Sequence, residues 1–120
     1  MSIKTRTIQH GRVAIFELKG SLVGDEETDL LRASVADFLE QGNKYLVINL
    51  QKVHYVNSSG LGAIIAAHAS YRNNGGEVRL TGIGMHVRNL LAVTCLVDVF
   101  EVFESEEEAI ASFMDGKSIS

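Results

Sequence analysis

The 120-residue chain has no proline, a single cysteine, and no hydrophobic run approaching the roughly 20 residues that a membrane-crossing helix requires. The lone Cys95 cannot close an internal disulfide, and no further ligand residues surround it at metal-binding spacing. By composition it reads as a small buried hydrophobe and not as a reactive thiol. The first residues lack the basic, apolar, small-residue order of a signal peptide, so the expectation is a cytoplasmic protein without membrane insertion. Positive charge is also scarce. Eleven Lys and Arg stand scattered against fifteen Asp and Glu, a net charge of −4, which leaves no electrostatic footprint for nucleic acid. With 46% hydrophobic and 22% charged residues, and neither repeats nor low-complexity linkers, residues 1–120 suit one domain around one core.

The apolar pattern alternates between short and long periods. Ile3 to Ile8 and Val13 to Leu18 read as strands joined at His10-Gly11, which predicts a hairpin. Asp25 is a candidate cap for a helix in which Leu31, Val35 and Phe38 recur at helical spacing until Gly42. Tyr45 to Leu50 is a continuous apolar run too short for a helix, as expected of a central strand covered on both faces. From Ser58 to Asn73 the spacing of Leu61, Ile64, Ile65, His68 and Tyr71 predicts a second helix, ended by Asn74-Gly75-Gly76. His68 falls on the apolar stripe, as a packed core histidine would. Glu77 to Thr81 predicts a short strand, Val87, Leu90 and Leu91 a short helix, and Val97 to Phe103 a last strand. Ser105 to Glu108 has the Ser-x-x-Glu form of a capping box, with Ile110 and Phe113 facing the core of a fourth helix. The acidic cluster in that first turn suits the positive end of the helix dipole, so its reading is structural. Strands alternating with helices imply an α/β fold, its mixed sheet mostly parallel after the initial antiparallel hairpin.

The segment Asn57-Ser58-Ser59-Gly60-Leu61-Gly62 stands where the central strand hands over to a helix. A serine at such a turn is the geometry of the hydrolase nucleophile elbow, but that motif needs glycine two residues before the serine, and Val56 is there. None of His10, His54, His68 and His86 is spaced with an acid in a recognisable catalytic order. Neither of the glycine-rich nucleotide-binding motifs is present, so a phosphate cradle is weakly supported. Two compatible readings stay open. Asn57 or a serine caps the helix, and Ser58 offers a hydroxyl that a bound kinase could modify, adding about −1.5 to −2 charges.

Tyr-Val-Asn-Ser-Ser-Gly-Leu-Gly after a strand, followed by an Ala/Ile helix that ends in Gly-Gly, resembles the STAS domain of anti-sigma factor antagonists. Leu-Lys-Gly-Ser-Leu at 18–22, Leu-Val-Ile-Asn-Leu at 46–50 and Gly-Gly-Glu-Val-Arg-Leu-Thr-Gly at 75–82 extend the likeness over nearly the whole chain. The resemblance implies a non-enzymatic partner switch without a cofactor. Such a protein binds an anti-sigma factor that is also a serine kinase, releases it when phosphorylated, and has a serine phosphatase as a further partner. The phosphorylated position falls on Ser58, and the partner-binding face on Ser21, Val23, Asp25, Asn57, Ser58, Ser59, Gly60 and Leu61. Two residues depart from the family pattern, Asn57 where Asp is usual and Val23 where Asp is common. The alternative is a STAS subunit of another assembly, a signalling scaffold or a lipid or anion transport complex, that docks without modification.

Overall fold

Why the chain divides into strands and helices where it does is visible in the computed structural model, which describes residues 1–96 and 98–114. The strands are β1 (Ser2–Ile8), β2 (Val13–Leu22), β3 (Tyr45–Val56), β4 (Glu77–Thr81) and β5 (Glu101–Phe103). The helices are α1 (Asp25–Glu40), α2 (Ser58–Asn73), α3 (Met85–Val93) and α4 (Glu106–Met114). The strands form one sheet in the order β1-β2-β3-β4-β5, antiparallel between β1 and β2 and parallel thereafter.

Alternation along β2 divides the core. Ala14, Phe16 and Leu18 join the cluster built with α1, α2 and α3, while Val13 and Ile15 join a smaller cluster with Val47, Ala109 and Phe113 under α4. Because side chains on a strand alternate between faces, an unbroken apolar run is required wherever both faces are covered. Phe38 closes the larger core edge-on against Phe16, with ring centres 5.0 Å apart.

Several boundaries differ from expectation, each for a local reason. The hairpin turn lies one residue earlier than predicted: Gln9 and His10 carry positive φ, and the Ile8 carbonyl accepts from the Gly11 N–H. That is the turn geometry whose twist matches antiparallel strands. Asp25 is the first residue of α1 and not its cap; the cap position is Gly24, which makes no side-chain cap bond, and Asp25, Glu26 and Glu27 act on the dipole instead. β3 runs six residues past Leu50, because β2 also continues to Leu22 and pairs with it. Only Glu101–Phe103 of the last predicted strand is a strand; residues 98–100 are turn and bend, and Val97 lies outside the described residues. His68 is half-buried, its ring edge against Phe100. Burial first and the Arg72 charge second push its pKa down, against an opposing pull from Glu77.

Cys95 is exposed, contrary to the expectation of a buried residue, and helix-end geometry explains why. Three helices close in the same way. The N–H two residues beyond the C-cap returns to a carbonyl of the last turn: Asn43 to Phe38, Gly76 to Tyr71 and Leu96 to Leu91. The residue between must be left-handed. Gly42 and Gly75 occupy that place in α1 and α2, but in α3 it is Cys95, at φ 61°. A side chain in that conformation costs about 1 kcal/mol relative to glycine. Cys95→Gly should therefore raise the unfolding free energy by about 1 kcal/mol in urea titration, despite the greater freedom of glycine in the unfolded chain.

Candidate functional site

The turn from β3 into α2 is built by one amide side chain. Asn57 Oδ1 accepts from the Gly60 N–H at 3.0 Å, capping α2, while its Nδ2 donates to the Val23 carbonyl at 2.7 Å. The Asn57 N–H also reaches the Leu22 carbonyl at 3.4 Å, and its own carbonyl accepts from Leu61. Asn57 thus caps the helix and ties it to the β2–α1 connection. An ionised aspartate could accept from Gly60 but could not donate to the main-chain carbonyl of Val23, so this tie depends on the amide at position 57.

Ser58 and Ser59, the first two residues of α2, are exposed, and among the described residues no side chain bonds to the Ser58 hydroxyl. Gly60 and Leu61 are buried and support the turn from beneath, so they present no side chain to a partner. Ser21 is half-buried at the end of β2, opposite Tyr55 in the ladder; Val23 is half-buried and Asp25 exposed. The structure therefore gathers Ser21, Val23, Asp25, Asn57, Ser58 and Ser59 at the carboxyl ends of β2 and β3. The first turn of α2 contains no acidic residue. Its dipole is uncompensated there, and added negative charge would gain roughly 0.3 to 1 kcal/mol.

Sequence reasoning missed the aromatic neighbour of this turn. Tyr55 is 49% exposed and stacks on His86, with ring centres 4.6 Å apart, and His86 Nε2 lies 3.1 Å from the Val56 carbonyl. Met85, beside it, is 71% exposed. Large exposed side chains of this kind form the anchoring points of protein interfaces, whereas the Ser-Ser-Gly turn has little area to bury. Thirty-one residues separate Tyr55 from His86, so no local motif announces the pair. The only signal in the sequence was an aromatic on the exposed half of β3.

Among the described residues no three His, Cys, Asp or Glu side chains form a group able to hold a metal ion. Among the described residues no helix is long and apolar enough to cross a membrane. In sequence and in overall fold the chain is similar to known proteins. The chain is 25% identical over 112 residues to the anti-sigma F factor antagonist of Paenibacillus polymyxa, covering 92% of this chain and 94% of that one. Its fold superposes on the Bacillus cell fate determinant SpoIIAA in its phosphorylated form with a TM-score of 0.75, at 18% identity over 93% of this chain and 99% of the other. It also superposes on an anti-sigma factor antagonist from Mycobacterium paratuberculosis, with a TM-score of 0.78, 21% identity, and coverage of 95% and 96%. Residues 4–109 match the family model of the STAS domain, and the chain belongs to that family.

Proposed function

We propose that this STAS domain is an anti-sigma factor antagonist, switched by phosphorylation of Ser58. The observation that carries the reading is Ser58 itself: an exposed, unpartnered hydroxyl on the first residue of α2, at a helix end that tolerates negative charge. The Paenibacillus relative, similar along nearly its whole length, is named an anti-sigma F factor antagonist. Unmodified, the face formed by Ser21, Val23, Asp25, Asn57, Ser58 and Ser59 binds an anti-sigma factor that is also a serine kinase. A phosphate on Ser58 leaves the fold intact, because the nearest partner of its charge is the α2 dipole. Facing an acidic or apolar surface of the bound protein, the same charge costs several kcal/mol, and each 1.4 kcal/mol is about tenfold in affinity. A serine phosphatase restores the binding form. The domain carries out no chemistry of its own in this scheme.

Incubation with the cognate anti-sigma kinase and ATP should yield one phosphopeptide within residues 53–72. The modified protein should bind that kinase at least a hundredfold more weakly, with an unchanged thermal midpoint. Ser58→Ala should abolish the phosphopeptide and keep the complex. Phosphate transfer that survives Ser58→Ala, or release of the kinase by ATP from that variant, would refute the assignment. Binding weakened by Ser58→Asp, in a protein never phosphorylated in cells, would favour docking without modification.

A further inference from the structure

α4 covers only part of the sheet face on which it lies, packing over Val13, Ile15 and Val47. Towards the carboxyl ends of β2 and β3 the same face stays open, although parallel strands are ordinarily covered on both sides. Leu18 and Leu22 point into the larger core, so Lys19 and Ser21, which alternate with them, point to the open face. Residues directly opposite in a ladder share a face. Lys4 lies opposite Glu17, Lys19 opposite Lys52, and Ser21 opposite Tyr55. Three successive rows therefore lead from α4 to the Ser58 turn, and Lys4, Lys19, Lys52 and Tyr55 are all exposed along them.

The rows are basic on a chain whose net charge is −4. Lys4, Lys19 and Lys52 come from three strands and gather about one carboxylate, Glu17, which Lys52 approaches at 3.7 Å. Among the described residues Lys4 and Lys19 have no ion-pair partner. Beyond the Ser58 turn the sign reverses. The β2–α1 connection that Asn57 holds leads into Asp25, Glu26 and Glu27, and α1 packs on the opposite face of the sheet. The turn thus stands between a basic surface and an acidic one. Tyr55, three residues before Ser58, ends the basic rows with its ring stacked on His86. A ring already held by stacking loses little freedom on binding, which suits it to anchor a partner.

We propose that the protein docked at Ser58 extends onto this sheet face with an acidic surface, guided by Lys4, Lys19 and Lys52 and anchored on Tyr55. The inference rests on the reading of Ser58 as a switch and names the chemistry of the partner in it. The lysines attract that surface from a distance and raise the association rate, whereas Tyr55 packs after contact and slows dissociation. Asp25, Glu26 and Glu27 repel the same surface on the α1 side, which fixes its orientation. A phosphate on Ser58 then sets about −1.5 to −2 charges against it and favours release. The carboxylates favour a protein over a membrane or a nucleic acid. Glu17 lies among the lysines, and Glu104, Glu106 and Glu107 border the same face. A continuous polyanion meets these acids together with the lysines, whereas the discrete acidic side chains of a protein reach the lysines alone.

The test is a measurement of association and dissociation rates between the full chain and the cognate anti-sigma kinase, without ATP, at low and at high salt. The triple variant Lys4→Gln/Lys19→Gln/Lys52→Gln should associate about tenfold more slowly at low salt and lose most of the salt dependence. Its unfolding midpoint should hardly change, since all three residues are exposed. Tyr55→Ala should instead speed dissociation about tenfold. Arg32→Gln/Lys44→Gln, which removes exposed charges elsewhere, should alter association far less. If the triple variant associates like the parent chain at both salts, the inference fails, and the phosphopeptide decides the switch separately. A kinase that never engages the unmodified chain overturns both. Binding to anionic phospholipid vesicles or to duplex DNA that disappears in the triple variant would assign the lysines to a polyanion and overturn the proposal.

Discussion

Gly60→Ala should lower the unfolding free energy by about 2 to 3 kcal/mol, while Gly62→Ala, two residues further along the same helix, should raise it by up to about 1 kcal/mol. Both are glycines in α2, where alanine is intrinsically the better helix former, so propensity predicts the same sign for both. Packing separates them. A Cβ on Gly60 would land on the carbonyl oxygen of Leu22 and within 2.9 Å of Leu22 Cγ, whereas one on Gly62 would meet nothing within 4 Å. The Leu22 carbonyl cannot swing aside, because it belongs to the β2 end that receives the Asn57 N–H, and the Leu22 side chain is fully buried. The extra methyl group must therefore push the first turn of α2 away from β2, straining the Asn57 bonds to Gly60 and Val23 that align Ser58. Urea denaturation of both variants measures the contrast, and equal effects would mean that helix and strand do not approach this closely. Gly60 in the Ser-Ser-Gly-Leu sequence is thus a packing requirement of the turn.

How much of this was readable in advance depends on how local the cause was. The α2 boundaries were legible because a cap, an apolar stripe and a Gly-Gly stop all lie within the segment itself. The second half of β3 was not. Gln51-Lys52-Val53-His54-Tyr55 is exposed at every position but half-buried Val53, so it carries no apolar alternation, and it is held as a strand by the matching extension of β2, some thirty residues away in sequence. Asp25 was misplaced by one residue because an acid in a first helical turn and an acid at a cap leave the same trace in composition. Cys95 was misread because residue type predicts burial, whereas the requirement for a left-handed residue after α3 places it on the surface. At the candidate site the sequence offered Asn57 or a serine as the cap, and the structure selects Asn57 through its bond to Gly60, three residues on. The sequence could not indicate the second bond of the same side chain, to Val23, or the stacking of Tyr55 on His86. Those depend on how β2, β3 and α3 meet.

Asn43→Ala should cost about 2 to 4 kcal/mol, and most of that cost should disappear when Tyr71 is already phenylalanine. Asn43 is 3% exposed and connects three elements. Its Nδ2 donates to the Gly11 carbonyl at 2.8 Å and to the Arg12 carbonyl at 2.9 Å, and its Oδ1 accepts from the Tyr71 hydroxyl at 2.6 Å. The two carbonyls survive its loss comparatively well, since Gly11 is exposed and the Arg12 carbonyl also accepts from the Lys44 and Tyr45 N–H groups. The Tyr71 hydroxyl does not. Tyr71 is fully buried, and burial already pushes its pKa up, so a stranded hydroxyl there has neither water nor a neighbouring charge to turn to. Tyr71→Phe alone should cost about 1 to 2 kcal/mol, by leaving Asn43 Oδ1 without its donor. In the Asn43→Ala background the same change removes the stranded group and should be neutral or stabilising. The reversal of sign in a double-mutant cycle is the measurement; additive costs would show that the two side chains do not share a bond. This network holds the carboxyl-terminal end of α2 against the β1–β2 turn and the start of β3, while Asn57 and Gly60 hold the amino-terminal end against β2. With both ends of α2 tied to the sheet in this way, the switch proposed for Ser58 needs no movement of the helix: the added charge would act on the docked partner.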